Sequence, residues 1–498
     1  MNVNPITRLD YPDLDVIRVE DTYYMVSTTM HFMPGCEILQ SFDLVHWEHA
    51  TYVYETLDHT DAQQLKSGQN IYGQGMWAAS LRYHEGRFYI CFVANDTRKT
   101  YLYTSEKIDG PWKKQLIEGF YHDGSLLFDE DGRNYIVYGN DEIWITELNE
   151  DLTAPKKDGL HRLLVSDHKN PELGYEGSHI QKINGYYYIF LIHSLRDRWM
   201  RTEACFYSDS LEGEFTGGDV LCDDRGYCGQ GVAQGGIVDT PDGKWYAMLF
   251  QDSGAVGRIP ILLPVTWKDH FPFFGQNGHV PEEIEVHSTR PEYIYQPLVG
   301  SDDFCNGLLP RWQFNHDPDP RYYHLDALQG TYTITTREVC TELTQAVNTL
   351  TQRMSYPSCA AEVTVDASAL KEGDVAGLCA LQSCYAAVGI TKHHGKYEVL
   401  MLDKKEDGIL DMTEGTVVES HQMDFRLEAD FCNMKDEARC YYRVNKGDWL
   451  PIGTVHKLYF KLDHFTGCRF GLFCYAAEET GGSACFRDFK YYDVDEIS

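Results

Sequence analysis

Long apolar runs are missing from this 498-residue chain. None approaches the ~20 residues that a membrane-spanning helix requires, which excludes helical insertion into a bilayer. Basic residues are scarce as well: 43 Lys and Arg stand against 76 Asp and Glu, for a formal net charge of −33. A polyanion would be repelled by that field, so nucleic acid and membrane are excluded as main partners and a neutral ligand is favoured. The 15 cysteines are odd in number and scattered through apolar stretches, as at Cys91, Cys205, Cys379 and Cys474. They lack the spacing of a disulfide framework, and reduced core thiols in a cytoplasmic protein are expected. Cys222 and Cys228 lie close together, but no second pair follows at zinc spacing, and no EF-hand pattern occurs. No metal site is therefore expected from ligand motifs. The opening Met1-Asn-Val-Asn-Pro-Ile runs into the first repeat within a dozen residues, leaving no room for a signal peptide. Beyond Asp302, helical periodicity never lasts more than a few turns.

Aromatic residues are plentiful: 34 Tyr, 23 Phe and 9 Trp, as β-rich folds and sugar-stacking surfaces use. Laid against itself, the chain repeats one pattern over Asp15–Val26, Ser80–Phe92, Ser125–Tyr138, Ser178–Leu191 and Gly236–Leu249. Each copy is an apolar-rich strand, a tight turn carrying Asp, Glu, Asn or Gly, and an aromatic-rich strand, which is a β-hairpin signature. Four of the hairpins are followed by a strand ending in Ser or Thr, a polar turn and a closing hydrophobe, at Ser41–Trp47, Ser105–Trp112, Thr146–Thr153 and Ser208–Phe215. Hairpin, third strand and fourth strand make one blade. Copies starting 45 to 65 residues apart predict a five-bladed β-propeller over residues 1–290. The alternative is a long β-sandwich whose hairpins look alike. Residues Pro281–Pro297, rich in Pro and charge, read as a linker. Beyond Asp302, strands such as Cys359–Ala367, Ala376–Gln382, Lys396–Leu402 and Phe470–Ala476 predict an antiparallel β-sandwich over residues 300–498. The chain is expected to be all-β.

Two residues before each repeat stand Asp13, Ala78, Asp123, Glu176 and Gln234. Blades arranged around an axis would bring these five positions together, and three carboxyl groups would meet in one pocket. A lone Asp at a strand entry is usually a turn cap. The shared offset in three repeats argues for a site instead. Asp15, two residues beyond Asp13, is the nearby competitor. A Trp at position 77, beside the small Ala78, would offer an apolar wall to a sugar ring, against the alternative of a Trp packed between blades.

At these residues the chain resembles the family 43 glycoside hydrolases, of the two-domain β-xylosidase and arabinofuranosidase type. The resemblance runs through Asn4-Pro-Ile, Tyr11–Val19, Asp21-Thr-Tyr-Tyr, Met33-Pro-Gly, Ser41–Trp47, Met76-Trp-Ala-Ala, His122-Asp-Gly-Ser, Tyr175-Glu-Gly-Ser-His and Gly257-Arg. Asp302-Asp-Phe and Phe486-Arg-Asp-Phe are similar to the ends of the family's sandwich domain. It implies an inverting, exo-acting glycosidase that releases terminal xylose or arabinofuranose from short xylan-derived oligosaccharides. Asp13 would be the general base and Glu176 the general acid. Asp123 would orient Glu176 and hold its proton through like-charge proximity. Asp13 is preferred to Asp15, where the family commonly has Ser. Arg258 would contact sugar hydroxyls or a carboxylate, and His31 would line the pocket mouth or be an ordinary loop histidine. Many relatives carry His at the position of Gln234, near a calcium or water cluster. No cofactor is required on this reading, and calcium in the propeller channel is left open. Two other readings stand beside it: an arabinan- or galactan-directed exo-hydrolase of the same fold, and a non-catalytic sugar-binding propeller. A homo-oligomer is compatible with either.

Overall fold

The computed structural model describes residues 2–493. Five four-stranded antiparallel sheets follow one another, each built from a contiguous stretch of chain. The first strand of each is innermost: Asp15–Val19, Met76–His84, Ser125–Phe128, Glu176–Ile183 and Val232–Asp239. These five strands touch in a closed ring, first against second and so on, with the fifth returning to the first. The expected five-bladed propeller is the fold.

Period-two alternation explains why the ring packs. Each blade offers apolar residues to both neighbours. Ile38, Leu81 and Ile90 join blades one and two. Leu102, Leu126 and Ile136 join two and three. Ile145, Ile189 and Leu191 join three and four, and Phe190, Leu249 and Leu263 join four and five. Tyr11, Val16, Phe250 and Leu262 close the ring. Each such side chain contributes roughly 1.5–3 kcal/mol on burial. Asn4 adds a polar clasp to the closure, donating to the Leu262 carbonyl (2.7 Å) and accepting from its N–H (3.0 Å).

The C-terminal part is a sandwich of two antiparallel sheets. Its core contains Trp312, Phe314, Tyr332, Leu378, Phe425 and Phe486, and the same cluster takes in Ala255, Val256 and Ile259 of the propeller. The two units also share a sheet: Phe32–Met33, an excursion between the second and third strands of blade one, pairs with Gln313–Asn315 at the sandwich edge. The segment read as a linker is tied down. Glu283–Ile284 pairs with Asn2–Val3, and the Tyr295 hydroxyl accepts a hydrogen bond from the Phe42 N–H. Its aromatic residues have found partners on blade one, which composition alone does not reveal.

An ion pair is buried where the units meet. Arg353 of the sandwich donates to Glu37 of blade one (2.8 Å) and to the Asp10 carbonyl (2.9 Å), with its guanidinium over the Tyr11 ring. Burial pushes the Glu37 carboxyl up, but Arg353 and His49 together overcome this and hold it at about 2. Replacing Arg353 by Met leaves a buried carboxylate with only His49 beside it (3.1 Å). The expected cost is about 3–5 kcal/mol, read as a lower thermal midpoint at neutral pH. Because the folded value lies below the ordinary 4.5, the pair's contribution is complete above pH 4.5 and drains away as pH falls towards 2. The gap between wild type and Arg353→Met should therefore narrow across that window.

Candidate active site

The axial positions are held by unusual backbone. Asp13, Ala78, Asp123 and Gln234 have φ of 50°, 25°, 48° and 62°, and beside Glu176 it is Gly177 that takes φ of 65°. In blades two, four and five the inner strand also shifts register here, between Trp77 and Ser80, Glu176 and His179, and Ala233 and Gly236. A bulge re-aims a side chain out of the plane of its sheet, and a left-handed non-glycine residue costs of order 1–3 kcal/mol. Five equivalent distortions at one end of the channel mark a site that the packing sustains.

Asp13 is buried and fixed from two sides. Thr28 Oγ1 donates to its Oδ2 (2.8 Å) and Arg258 Nη1 donates to its Oδ1 (2.9 Å). The same Thr28 oxygen accepts from the Ala78 N–H (2.8 Å), tying blade two's axial residue to blade one's carboxylate. Asp123 accepts from the Gly177 N–H (3.0 Å), which ties blade three to four. Glu176 accepts from Asn140 Nδ2 (2.6 Å). It is the most open of the three, with 23% of its side chain exposed against 9% and 7% for Asp13 and Asp123.

His122 stands between two of the carboxylates, Nε2 lying 3.5 Å from Asp123 and 3.6 Å from Glu176. The Asp123 charge, against the opposing effect of burial and with help from Glu176, pushes the imidazole up to about 9. Asp123 is itself pushed up, to about 6, by burial and by the Glu176 and Asp13 charges, with His122 pulling the other way. His122, Asp123 and Glu176 each offer one ligand atom within 4.8 Å of the others. With its imidazole protonated, His122 serves as the cation of the cluster.

Arg258 is almost wholly buried, its N–H donating to Asp10 (2.7 Å). Phe465 of the sandwich lies over its guanidinium, 4.5 Å from the ring centroid, and 5.3 Å from the Trp77 ring. Trp77 thus faces Phe465 and His122 across the pocket. Asp10 locks this loop to the propeller by accepting from the Gly467 N–H (2.7 Å). A Cβ at Gly467 would run into the Val256 carbonyl and Asp10, so only glycine permits the approach. Gln234 packs against Gly177, and its N–H donates to the buried Glu203 (2.7 Å), whose carboxyl burial pushes well above its ordinary range.

Of the residues singled out in the sequence, Asp13, Asp123, Glu176, Trp77, Ala78, Gln234 and Arg258 come to this end of the channel. His31 does not line its mouth. It is fully buried among Phe32, Tyr72, His316 and His464, where the propeller meets the sandwich. The Phe32–Met33 excursion carries it there. Asp15 is taken up instead by Arg82 (2.6 Å) and His179 (3.2 Å). Sequence reasoning missed His122, Thr28, Asn140, Asp10 and Phe465. Only His122 left a signal, as the neighbour of an axial acid.

Residues 3–272 match the model of glycosyl hydrolases family 43. The chain belongs to that family. Residues 301–492 match the β-xylosidase C-terminal concanavalin A-like domain. The glycoside hydrolase is 26% identical to a β-xylosidase of Formosa agariphila, over 99% of this chain and 89% of that one. It is 24% identical to a non-reducing end α-L-arabinofuranosidase of Bacteroides ovatus, over 82% and 79%. A solved bifunctional GH43-CE protein of Bacteroides eggerthii superposes with a TM-score of 0.92 at 42% identity, covering 99% of this chain. The chain spans 64% of that larger protein.

The cluster makes the enzyme's pH dependence legible. The acid limb of kcat/KM should fall near pH 6, where Asp123 takes up its proton, and the alkaline limb near 9, where His122 loses its own. Since His122 lowers Asp123, His122→Phe should move the acid limb to higher pH. A pH–rate series on an aryl glycoside checks both.

Proposed function

We propose that this family 43 enzyme is an inverting, exo-acting glycosidase that removes terminal xylose, arabinofuranose or both from short xylan-derived oligosaccharides. The observation that carries the reading is the gathering of Asp13, Asp123 and Glu176 at one end of the propeller channel, under a wall made by Trp77, Arg258 and Phe465. A lid contributed by a second domain favours a chain end over the middle of a polymer. The named relatives, a β-xylosidase and an arabinofuranosidase, support the pentose. Neutral sugars suit a pocket rich in carboxylates, and free, mostly buried thiols suit a cytoplasmic enzyme supplied with imported oligosaccharides.

The roles follow from the environments. Asp13, held on both oxygens by donors, takes the proton of a water on one face of the sugar ring. Glu176, the accessible carboxyl, gives its proton to the leaving oxygen. Inversion needs the two roughly 6.5–9.5 Å apart, with room for that water. Asp123 fixes the Glu176 segment through the Gly177 N–H. Between pH 6 and 9 the pocket holds two internal pairs, Asp13 with Arg258 and Asp123 with His122.

NMR of the first-formed sugar should show the anomer opposite to that of the substrate; net retention would reject the mechanism. Asp13→Asn and Glu176→Gln should each lower kcat about 10²–10⁴-fold with an unchanged thermal midpoint. Rates on nitrophenyl xyloside, arabinofuranoside and galactoside decide the sugar, and a dominant galactosidase rate would overturn the pentose assignment.

A further inference from the structure

The calcium question turns on one residue below the active site. Arg82, in the inner strand of blade two, puts its guanidinium into the central channel. Its nitrogens donate to five oxygens: Asp15 Oδ2 (2.6 Å), the Leu81 carbonyl (2.6 Å), Ser125 Oγ (2.7 Å), the Leu126 carbonyl (2.8 Å) and the Ile180 carbonyl (3.1 Å). These come from blades one to four. Blade five makes room: Gly236 has no side chain where His179 and Asp15 lie against it. A ring of oxygens that includes one carboxylate is the donor chemistry of a hard divalent cation. Here it is already filled, and its negative charge is already matched. The oxygens around Arg82 do not fit a calcium ion.

We propose that Arg82 is the resident cation of this propeller, doing with a guanidinium what a bound metal ion would do. Two of its partners stand two residues beyond the axial acids: Asp15 after Asp13, and Ser125 after Asp123. Asp15 also accepts from the Leu81 N–H (2.8 Å), and Ser125 Oγ also accepts from the Ile180 N–H (3.0 Å). Arg82 therefore sets the spacing of the strand starts that carry the catalytic carboxylates, and it is a positioning residue. The planar fork is needed, because five donors leave it in fixed directions; an ammonium has three. Burial would push the Asp15 carboxyl up, yet Arg82 and His179 hold it at about 2, so the pair stays charged through the working range. Below the guanidinium, a cavity of about 410 Å³ opens at the far end of the channel, lined by Arg18, His84, Phe128 and Lys182. Solvent can reach the site of Arg82 from that side.

The catalytic half of this inference rests on the roles proposed for Asp13 and Asp123, whereas the metal half does not. In the wild-type enzyme, exhaustive chelation followed by added Ca²⁺ should leave both thermal midpoint and kcat unchanged. A midpoint that falls on chelation and returns with Ca²⁺ would overturn the proposal, whatever the enzyme's substrate. Arg82→Met, assayed well below its own midpoint, should lose about 100-fold in kcat with KM little changed. Arg82→Lys should fall between, and guanidinium ion at millimolar concentration should restore activity to Arg82→Ala. A folded Arg82→Met with wild-type kcat would refute the positioning role. If the Met and Ala variants do not fold, the intermediate kcat of Arg82→Lys at unchanged KM becomes the deciding reading, and a wild-type value there rejects the role.

Discussion

Gathering like charges is the constraint on which this molecule is built. Three carboxyl groups at one end of a narrow channel repel one another, and burial raises the cost of ionising each. The structure answers with cations placed one by one. Arg258 faces Asp13, His122 lies between Asp123 and Glu176, and Arg82 sits on Asp15 beneath them. Each acts across a blade boundary. The charge gathered at the site thus also ties the blades together at their inner ends.

A second consequence is that the catalytic unit is not the propeller alone. Phe465 covers Arg258 and faces Trp77, and the loop that carries it is fastened by Asp10 and Gly467. Arg353 and Glu37 bury a charged pair at the same junction, and Phe32–Met33 extends the sandwich sheet. These contacts make the sandwich a wall of the pocket. They also explain why the segment between the units, expected as a plain linker, is held against blade one: a wall must not drift.

The backbone at the axis shows why local sequence rules and the observed geometry part company here. Left-handed Asp13, Asp123 and Gln234 run against ordinary preference. Such conflicts are expected where function imposes a shape that packing can carry. Gly177 and Gly235 are axial neighbours at which the sequence yields to the backbone, because a side chain at the first would strike Gln234 and at the second the Met248 carbonyl.

The repeat was legible because a blade is a local object. Hairpin, turn and alternation are set by neighbouring residues, so five copies announce five blades, and a common offset announces which side chains share the axis. Asp13, Asp123, Glu176, Trp77, Ala78, Gln234 and Arg258 could be placed together on that ground or by family likeness. His31 could not be placed, since its position depends on an excursion that pairs with a strand some 280 residues away. Phe465, Asn140 and Thr28 were silent for the same reason: nothing near them in the chain says what they touch. The order of the blades and the convergence of the acids belong to the sequence. Which cation meets which acid, and what covers the pocket, belonged to the tertiary structure, because electrostatic pairing acts through space between stretches that share no local pattern.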